Sequence, residues 1–130
     1  MEGVVEPIGD VLVIEDIPEV AETTAAVLRG EGLRVQVALT LDEALALCDV
    51  NYFDAVVLDH DLGDATAHDF LQEHLDIGPV VVVSAALAET LEGLRHNYWK
   101  VFAVRSKPCD PPDLIDVVKE AVAEGRRIRT

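Results

Sequence analysis

The sequence predicts an α/β fold: a single doubly wound domain whose five-stranded parallel sheet, in order 2-1-3-4-5, is flanked by five helices. Three observations predict it. The runs Val11-Leu-Val-Ile14, Ala55-Val-Val-Leu58 and Val80-Val-Val-Val83 are continuously apolar, rich in β-branched residues and too short for helices. Strands buried on both faces of a parallel sheet read this way. Segments with helical spacing lie between them, and the regular alternation of the two types implies right-handed crossovers with helices on both faces. The 130 residues fit one domain, with a core from about 10 to 124, no internal linker or repeat, and no output domain.

Taken in order, the first strand is Val11–Ile14, and Ala21, Ala25 and Leu28 mark the helix after it. Leu33, Val35 and Val37 alternate with Arg34 and Gln36, as a strand with one more exposed side does. Leu41, Ala44, Leu45 and Cys48 share one helix face, and Thr40-Leu-Asp-Glu43 reads as a capping box. The third strand is Ala55–Leu58. Ala67, Phe70, Leu71 and His74 repeat the helical spacing behind Thr66. Val80–Val83 is the fourth strand, followed by a helix marked by Leu87, Leu91 and Leu94. Val101–Val104 carries the weakest strand pattern. Leu114, Val117, Val118 and Ala121 define the last helix, with Asp110 at its N-cap and Pro111 in its first position.

The net charge is −15, from 25 acidic and 10 basic side chains, while half of the residues are hydrophobic. This excludes a disordered acidic tail. It also argues against duplex nucleic acid, where neutralising phosphates supplies most of the affinity, and against an anionic membrane surface. No apolar run approaches the roughly 20 residues of a membrane helix, and Met1–Asp10 lacks the basic and apolar regions of a signal peptide. The expected location is cytoplasmic. Cys48 and Cys109 are too isolated for a zinc site or a disulfide framework and read as reduced, inert thiols.

In a doubly wound sheet, sites form beyond the carboxyl ends of the strands at the topological switch point, here between the first and third strands. The first strand ends in Glu15-Asp16 and the third in Asp59. Three converging carboxylates repel one another unless a cation joins them or a proton neutralises one. A hard divalent ion with oxygen ligands, Mg²⁺, suits them. Ser84 ends the fourth strand and Lys107-Pro108 follows the fifth. A carboxylate nucleophile, a metal, a hydroxyl donor and a cation make up an inventory for phosphoryl transfer.

These features resemble the receiver domain of bacterial response regulators, the acceptor half of two-component signalling. The resemblance rests on Val11-Leu-Val-Ile-Glu-Asp16, Val56-Val-Leu-Asp-His-Asp-Leu62, Val82-Val-Ser-Ala85 and Ser106-Lys-Pro108, and covers about Asp10 to Glu124. It implies that Asp59 accepts a phosphoryl group from a sensor histidine kinase or phosphotransfer protein. Asp16 is then a direct Mg²⁺ ligand, Glu15 one through water, and the backbone carbonyl of Asp61 another. Ser84 hydrogen-bonds the acyl phosphate, Lys107 pairs with it, and the Lys107-Pro108 bond is cis. Such a domain modifies itself and is not otherwise an enzyme; output passes to a downstream protein partner.

Four positions depart from the family pattern: Gly63 where Pro is usual, Ala67 where Gly is common, Val104 in place of a switching aromatic, and Arg95-His-Asn-Tyr-Trp-Lys100 in place of a Gly-Ala turn. Of these, Gly63 and Val104 leave open a degenerate receiver that binds a partner without being phosphorylated. A flavodoxin is a poor rival, because Glu15-Asp-Ile-Pro-Glu19 would repel a flavin phosphate. A haloacid-dehalogenase-type hydrolase would match Asp59-His-Asp61 but lacks room for a cap.

The carboxylate of Asp61 is expected either to tighten Mg²⁺ binding or change the acyl-phosphate lifetime, or else to be a solvated loop side chain. Alternation directs His60 away from Asp59, as an incidental surface histidine. From Val35 to Leu94 there are twelve acidic residues and no Lys or Arg, whereas Arg95 to Thr130 holds eight basic against five acidic. This asymmetry reads either as solvated charged faces or as an Arg95–Phe102 segment and C-terminal helix that dock an acidic or phosphorylated partner, with Tyr98, Trp99 and Phe102 as exposed anchors. Gly125-Arg-Arg-Ile-Arg-Thr130 reads as a frayed helix end whose cations complement the macrodipole.

Overall fold

The computed structural model describes residues 8–63, 65–85 and 88–129, with 88–91 by their backbone. The readings made on Met1–Pro7, on Leu87 and on the Leu91 side chain lie outside the described residues. Ten elements alternate strictly: β1 (Asp10–Ile14), α1 (Pro18–Arg29), β2 (Arg34–Ala38), α2 (Leu41–Val50), β3 (Ala55–Asp59), α3 (Ala67–Leu71), β4 (Val80–Ser84), α4 (Ala88–Asn97), β5 (Val101–Ser106) and α5 (Pro111–Arg129). The strands form one parallel sheet in the order β2-β1-β3-β4-β5.

Because successive strand side chains point to opposite faces, the apolar runs supply two cores at once. Leu12, Ile14, Val56, Leu58, Val80 and Val82 face α2, α3 and α4, packing with Ala44, Cys48, Phe70 and Leu94. Val11, Val13, Ala55, Val57, Val81 and Val83 face α1 and α5, packing with Ala25, Leu28, Leu114, Val117 and Val118. Burial on both faces is why β1, β3 and β4 carry no polar alternation.

The helix signals translate with local adjustments. Thr40 caps α2 by accepting from the Glu43 N–H at 3.1 Å, while the Glu43 carboxylate accepts from Leu39 N–H at 2.7 Å, one residue earlier than a standard capping box. At α3 the Asp69 carboxylate accepts from Thr66 N–H at 2.8 Å. That helix stops at Leu71, so His74 lies beyond it, exposed, and not on its buried face. β5 extends two residues past the expected strand. Val80 pairs with Val101 and Val81 with Ala103, leaving Phe102 as an extra residue that breaks the alternation and weakens the sequence signal.

The C-terminal turn is not frayed: α5 continues to Arg129 and closes over the edge of the sheet opposite the carboxyl ends of the strands. Asp54 is fully buried there. Its carboxylate accepts from Asp10 N–H at 2.9 Å and pairs with Arg126 at 3.6 Å and Arg129 at 3.4 Å. Those arginines answer a buried charge more than the helix dipole. A Cβ on Gly78 or Gly125 would stand 2.0 or 1.8 Å from the Asp54 carbonyl oxygen, so only glycine admits this approach. Both cysteines are free; burial pushes the Cys48 thiol up to about 11, and burial also raises that of Cys109.

Candidate functional site

Parallel register brings the ends of β1, β3, β4 and β5 to one edge, and the polar residues that end these strands meet there. Glu15, Asp16 and Asp59 each offer an oxygen to a cluster whose atoms lie within 4.8 Å of one another. Glu15 and Asp59 are buried and Asp16 is half-buried. Lys107 reaches back over them: its Nζ donates to Glu15 Oε1 at 2.8 Å and stands 3.7 Å from Asp59 Oδ1. Ser84 is buried at the end of β4, and its carbonyl accepts from Lys107 N–H at 2.8 Å, tying the fourth strand to the lysine loop. The Lys107-Pro108 peptide is cis.

The electrostatics follow from burial and like charge. Burial, then the contact and repulsion of Glu15, push Asp59 up to about 6, against the pull of Lys107. Burial works the same way on Glu15, but the Lys107 ammonium and hydrogen bonds with Asp16 and Asp59 hold it below the usual carboxylate value. Asp16 is raised by burial and by its neighbours Glu15 and Asp61. Burial opposes the charge on Lys107, yet Glu15 and Asp59 outweigh it and raise its pKa. One cation thus faces three carboxylates. The donor set is all oxygen and carries surplus negative charge, which fits a hard divalent cation such as Mg²⁺.

The loop after Asp59 is tightly closed. Asp61 N–H donates to Asp59 Oδ1 at 3.4 Å, Leu62 N–H to Ala65 O at 3.0 Å, and Ala67 N–H to His60 O at 2.9 Å. The exposed Asp61 carboxylate accepts from Gly63 N–H at 3.2 Å, so it serves the turn. Gly63 has φ +82°, a conformation closed to proline, which accounts for the departure at that position.

Three sequence-based expectations change. His60 is not an incidental surface residue: it is half-buried, its Nδ1 is buried without a hydrogen-bond partner among the described residues, and it lines one cleft with Asp59, Asp61, Thr66 and Ser84. Its ring meets His68 edge-on at 5.9 Å, and His68 Nδ1 lies 3.1 Å from the Tyr98 hydroxyl. Of the three aromatics expected to be exposed, only Trp99 is, at 82%; Tyr98 and Phe102 are half-buried, against opposite cores. Nor do the basic residues of the C-terminal third form a free positive face. Lys100 donates to Ile77 O at 2.7 Å and lies over the Trp99 ring, Arg95 pairs with Glu92 at 3.8 Å, and Arg126 and Arg129 turn to Asp54. Sequence reasoning missed Asp54 and the His60–His68–Tyr98 contacts. The only available signal for Asp54 was its position directly before an apolar run.

Comparison with known proteins adds the family. The family model of the response regulator receiver domain matches residues 11–119. A CheY-like response regulator receiver domain protein from Methanospirillum hungatei JF-1 has TM-score 0.79 at 22% identity, covering 92% of this chain and 98% of that one. The signal receiver domain of a putative Luxo repressor protein from Vibrio parahaemolyticus has TM-score 0.82 at 18% identity, covering 93% and 95%. NtrX from Brucella abortus has TM-score 0.80 at 25% identity, over 93% of this chain and 28% of that one. No curated protein matches. Among the described residues, no helix is long and apolar enough to cross a membrane.

Proposed function

The chain belongs to the response regulator receiver domain family of two-component signalling, and from that premise we propose that Asp59 is its phosphoacceptor. In this reading a carboxylate oxygen of Asp59 attacks the phosphorus of a phosphohistidine on a sensor histidine kinase or phosphotransfer protein. A P–O bond forms, the P–N bond breaks, and its electron pair stays on the imidazole nitrogen. The product is an acyl phosphate.

The observation that carries the reading is the convergence of Glu15, Asp16 and Asp59 within 4.8 Å, with Lys107 3.7 Å from Asp59. Receiver domains bind Mg²⁺ through an acidic cluster of this kind. Here Asp16, Asp59, the Asp61 carbonyl and, through water, Glu15 would hold it, and it would supply positive charge to the transferred group. Lys107 shifts its ammonium from Glu15 toward the new phosphoryl oxygens, and the Ser84 hydroxyl donates to one of them. Both stabilise charge that exists only after attack begins. The domain changes its own state and turns over no other substrate. It works in the cytoplasm, and a downstream protein reads it on the Arg95–Phe102 segment and the adjoining α5 face.

Intact-mass analysis after incubation with acetyl phosphate, with and without Mg²⁺, tests this. One added phosphoryl group is expected, requiring both Mg²⁺ and Asp59 and absent from Asp59→Asn. No adduct under conditions that modify another receiver would instead make the chain a phosphorylation-independent binding module.

A further inference from the structure

A groove of ≈ 620 Å³ separates the segment after α3 from the α4–β5 turn, with Leu71, Leu75, Tyr98 and Trp99 on its apolar lining and Glu73 and Asp76 exposed at its rim. We propose that this groove binds a basic amphipathic segment of the downstream partner, and that its affinity responds to the state of Asp59 through His60, His68 and Tyr98. The second half of the proposal rests on the phosphoacceptor reading above; the first does not.

The occupant's chemistry follows from what the groove presents. Trp99 is 82% exposed, the kind of large amphipathic side chain that anchors interfaces when a partner covers it. The lining cation, Lys100, is held by Ile77 O at 2.7 Å and over the Trp99 ring at 4.5 Å, and its single charge against those of Glu73 and Asp76 leaves the rim net negative. Both belong to the long stretch from Val35 to Leu94 that contains no Lys or Arg. An apolar floor beside exposed carboxylates matches a helix with apolar anchors on one face and Lys or Arg flanking them.

The link to the acceptor is a continuous set of contacts. His60 lines the cleft that holds Asp59 and Lys107. Its ring meets His68 at 5.9 Å, the His68 ring meets Tyr98 at 5.6 Å, and His68 Nδ1 is 3.1 Å from the Tyr98 hydroxyl. Tyr98 is itself a wall of the groove. A loop that rearranges around a modified Asp59 would move His60, and the Nδ1 of that ring, buried and without a partner among the described residues, gives it a hydrogen bond to gain. This path runs through α3, apart from β5, where Val104 offers no aromatic to move.

Trp99 is the only tryptophan, so its emission reports the groove directly. The probe is a synthetic helical Leu/Lys peptide, with a Leu/Glu peptide of the same pattern as control. The expected result is a saturable blue shift with Leu/Lys alone, weakened at least tenfold in the folded double variant Glu73→Lys, Asp76→Lys and unchanged in Glu19→Lys, Glu22→Lys on α1. Absence of a shift, equal binding by the groove variant, or binding of the Leu/Glu peptide would overturn the groove.

With acetyl phosphate and Mg²⁺, the apparent affinity is expected to change at least threefold in wild type and not in His68→Phe, both phosphorylated to the same extent by mass. Equal affinity of the phosphorylated and unphosphorylated forms, or an undiminished response in His68→Phe, would overturn the coupling. Failure of Asp59 to gain mass would overturn the acceptor reading and with it the coupling, while the peptide arm would still decide the groove.

Discussion

Lys107 bonds Glu15 more closely than Asp59, 2.8 Å against 3.7 Å, although 92 residues separate the lysine from that glutamate in sequence. The lysine therefore neutralises first the more buried of these two carboxylates, and its weaker pull on Asp59 is outweighed by burial and the repulsion of Glu15.

Removing that ammonium should expose the arrangement. Lys107→Ala leaves Glu15 buried without its hydrogen-bonded cation, which costs about 1–3 kcal/mol of stability at neutral pH. The loss should show as a lower urea midpoint without a change in m. Glu15 has a depressed pKa, so its contribution is present above about 4.5 and is lost as pH falls through its folded value. The gap between variant and wild type should therefore close in acid.

Asp59 acts in the opposite sense. Its folded pKa of about 6 lies above the ordinary 3.8, so its contribution is fully present below that ordinary value and disappears as pH rises through about 6. In chelator, the domain should lose roughly 1 kcal/mol between pH 5 and pH 7.5 from this group. Asp59→Asn should abolish the decline and be the more stable protein at pH 7.5. Mg²⁺ should stabilise wild type above pH 6 and much less below it, as denaturation at matched ionic strength would reveal.

The far edge of the sheet sets a different limit. Gly125→Ala puts a methyl group 1.8 Å from the Asp54 carbonyl oxygen, and Gly78→Ala puts one at 2.0 Å. Each atom met is backbone and cannot swing aside, so roughly 3 kcal/mol should be lost. For a domain of this size, that lowers Tm by on the order of 10 °C. Gly93→Ala, where a Cβ meets nothing within 4 Å, is the control and should not destabilise.

Restoring the proline usual in this family at position 63 should harm this chain. Gly63 holds φ +82° and donates its N–H to Asp61, and proline can do neither. Gly63→Pro should cost about 1–3 kcal/mol. Because the turn follows directly on Asp59, its metal affinity should fall as well, measurable by titration with Mg²⁺.

The strands, their order and the gathering of Glu15, Asp16, Asp59, Ser84 and Lys107 at one edge were legible because each rests on a local signal. A β-branched run ends where its polar residue begins, and parallel topology carries all such ends to the same side. Gly63 stood out in the sequence only as a departure from the family's proline, and its positive-φ turn emerged with the structure. The shortness of α3 was less legible, since Ala67, Phe70, Leu71 and His74 keep helical spacing after the helix has stopped.

What only the tertiary structure decided are the contacts between residues whose identities are ordinary. Asp54 resembles any loop aspartate until α5 returns Arg126 and Arg129 to it, the latter 75 residues away. His60, His68 and Tyr98 share no spacing, yet two loops and a helix end bring them into line. Lys100 and Arg95 read as a positive face until Ile77, Trp99 and Glu92 engage them. Periodicity reports which way a side chain faces within its own element. Which partner it meets depends on how the elements close around the sheet, and for that the chain carries no local signal.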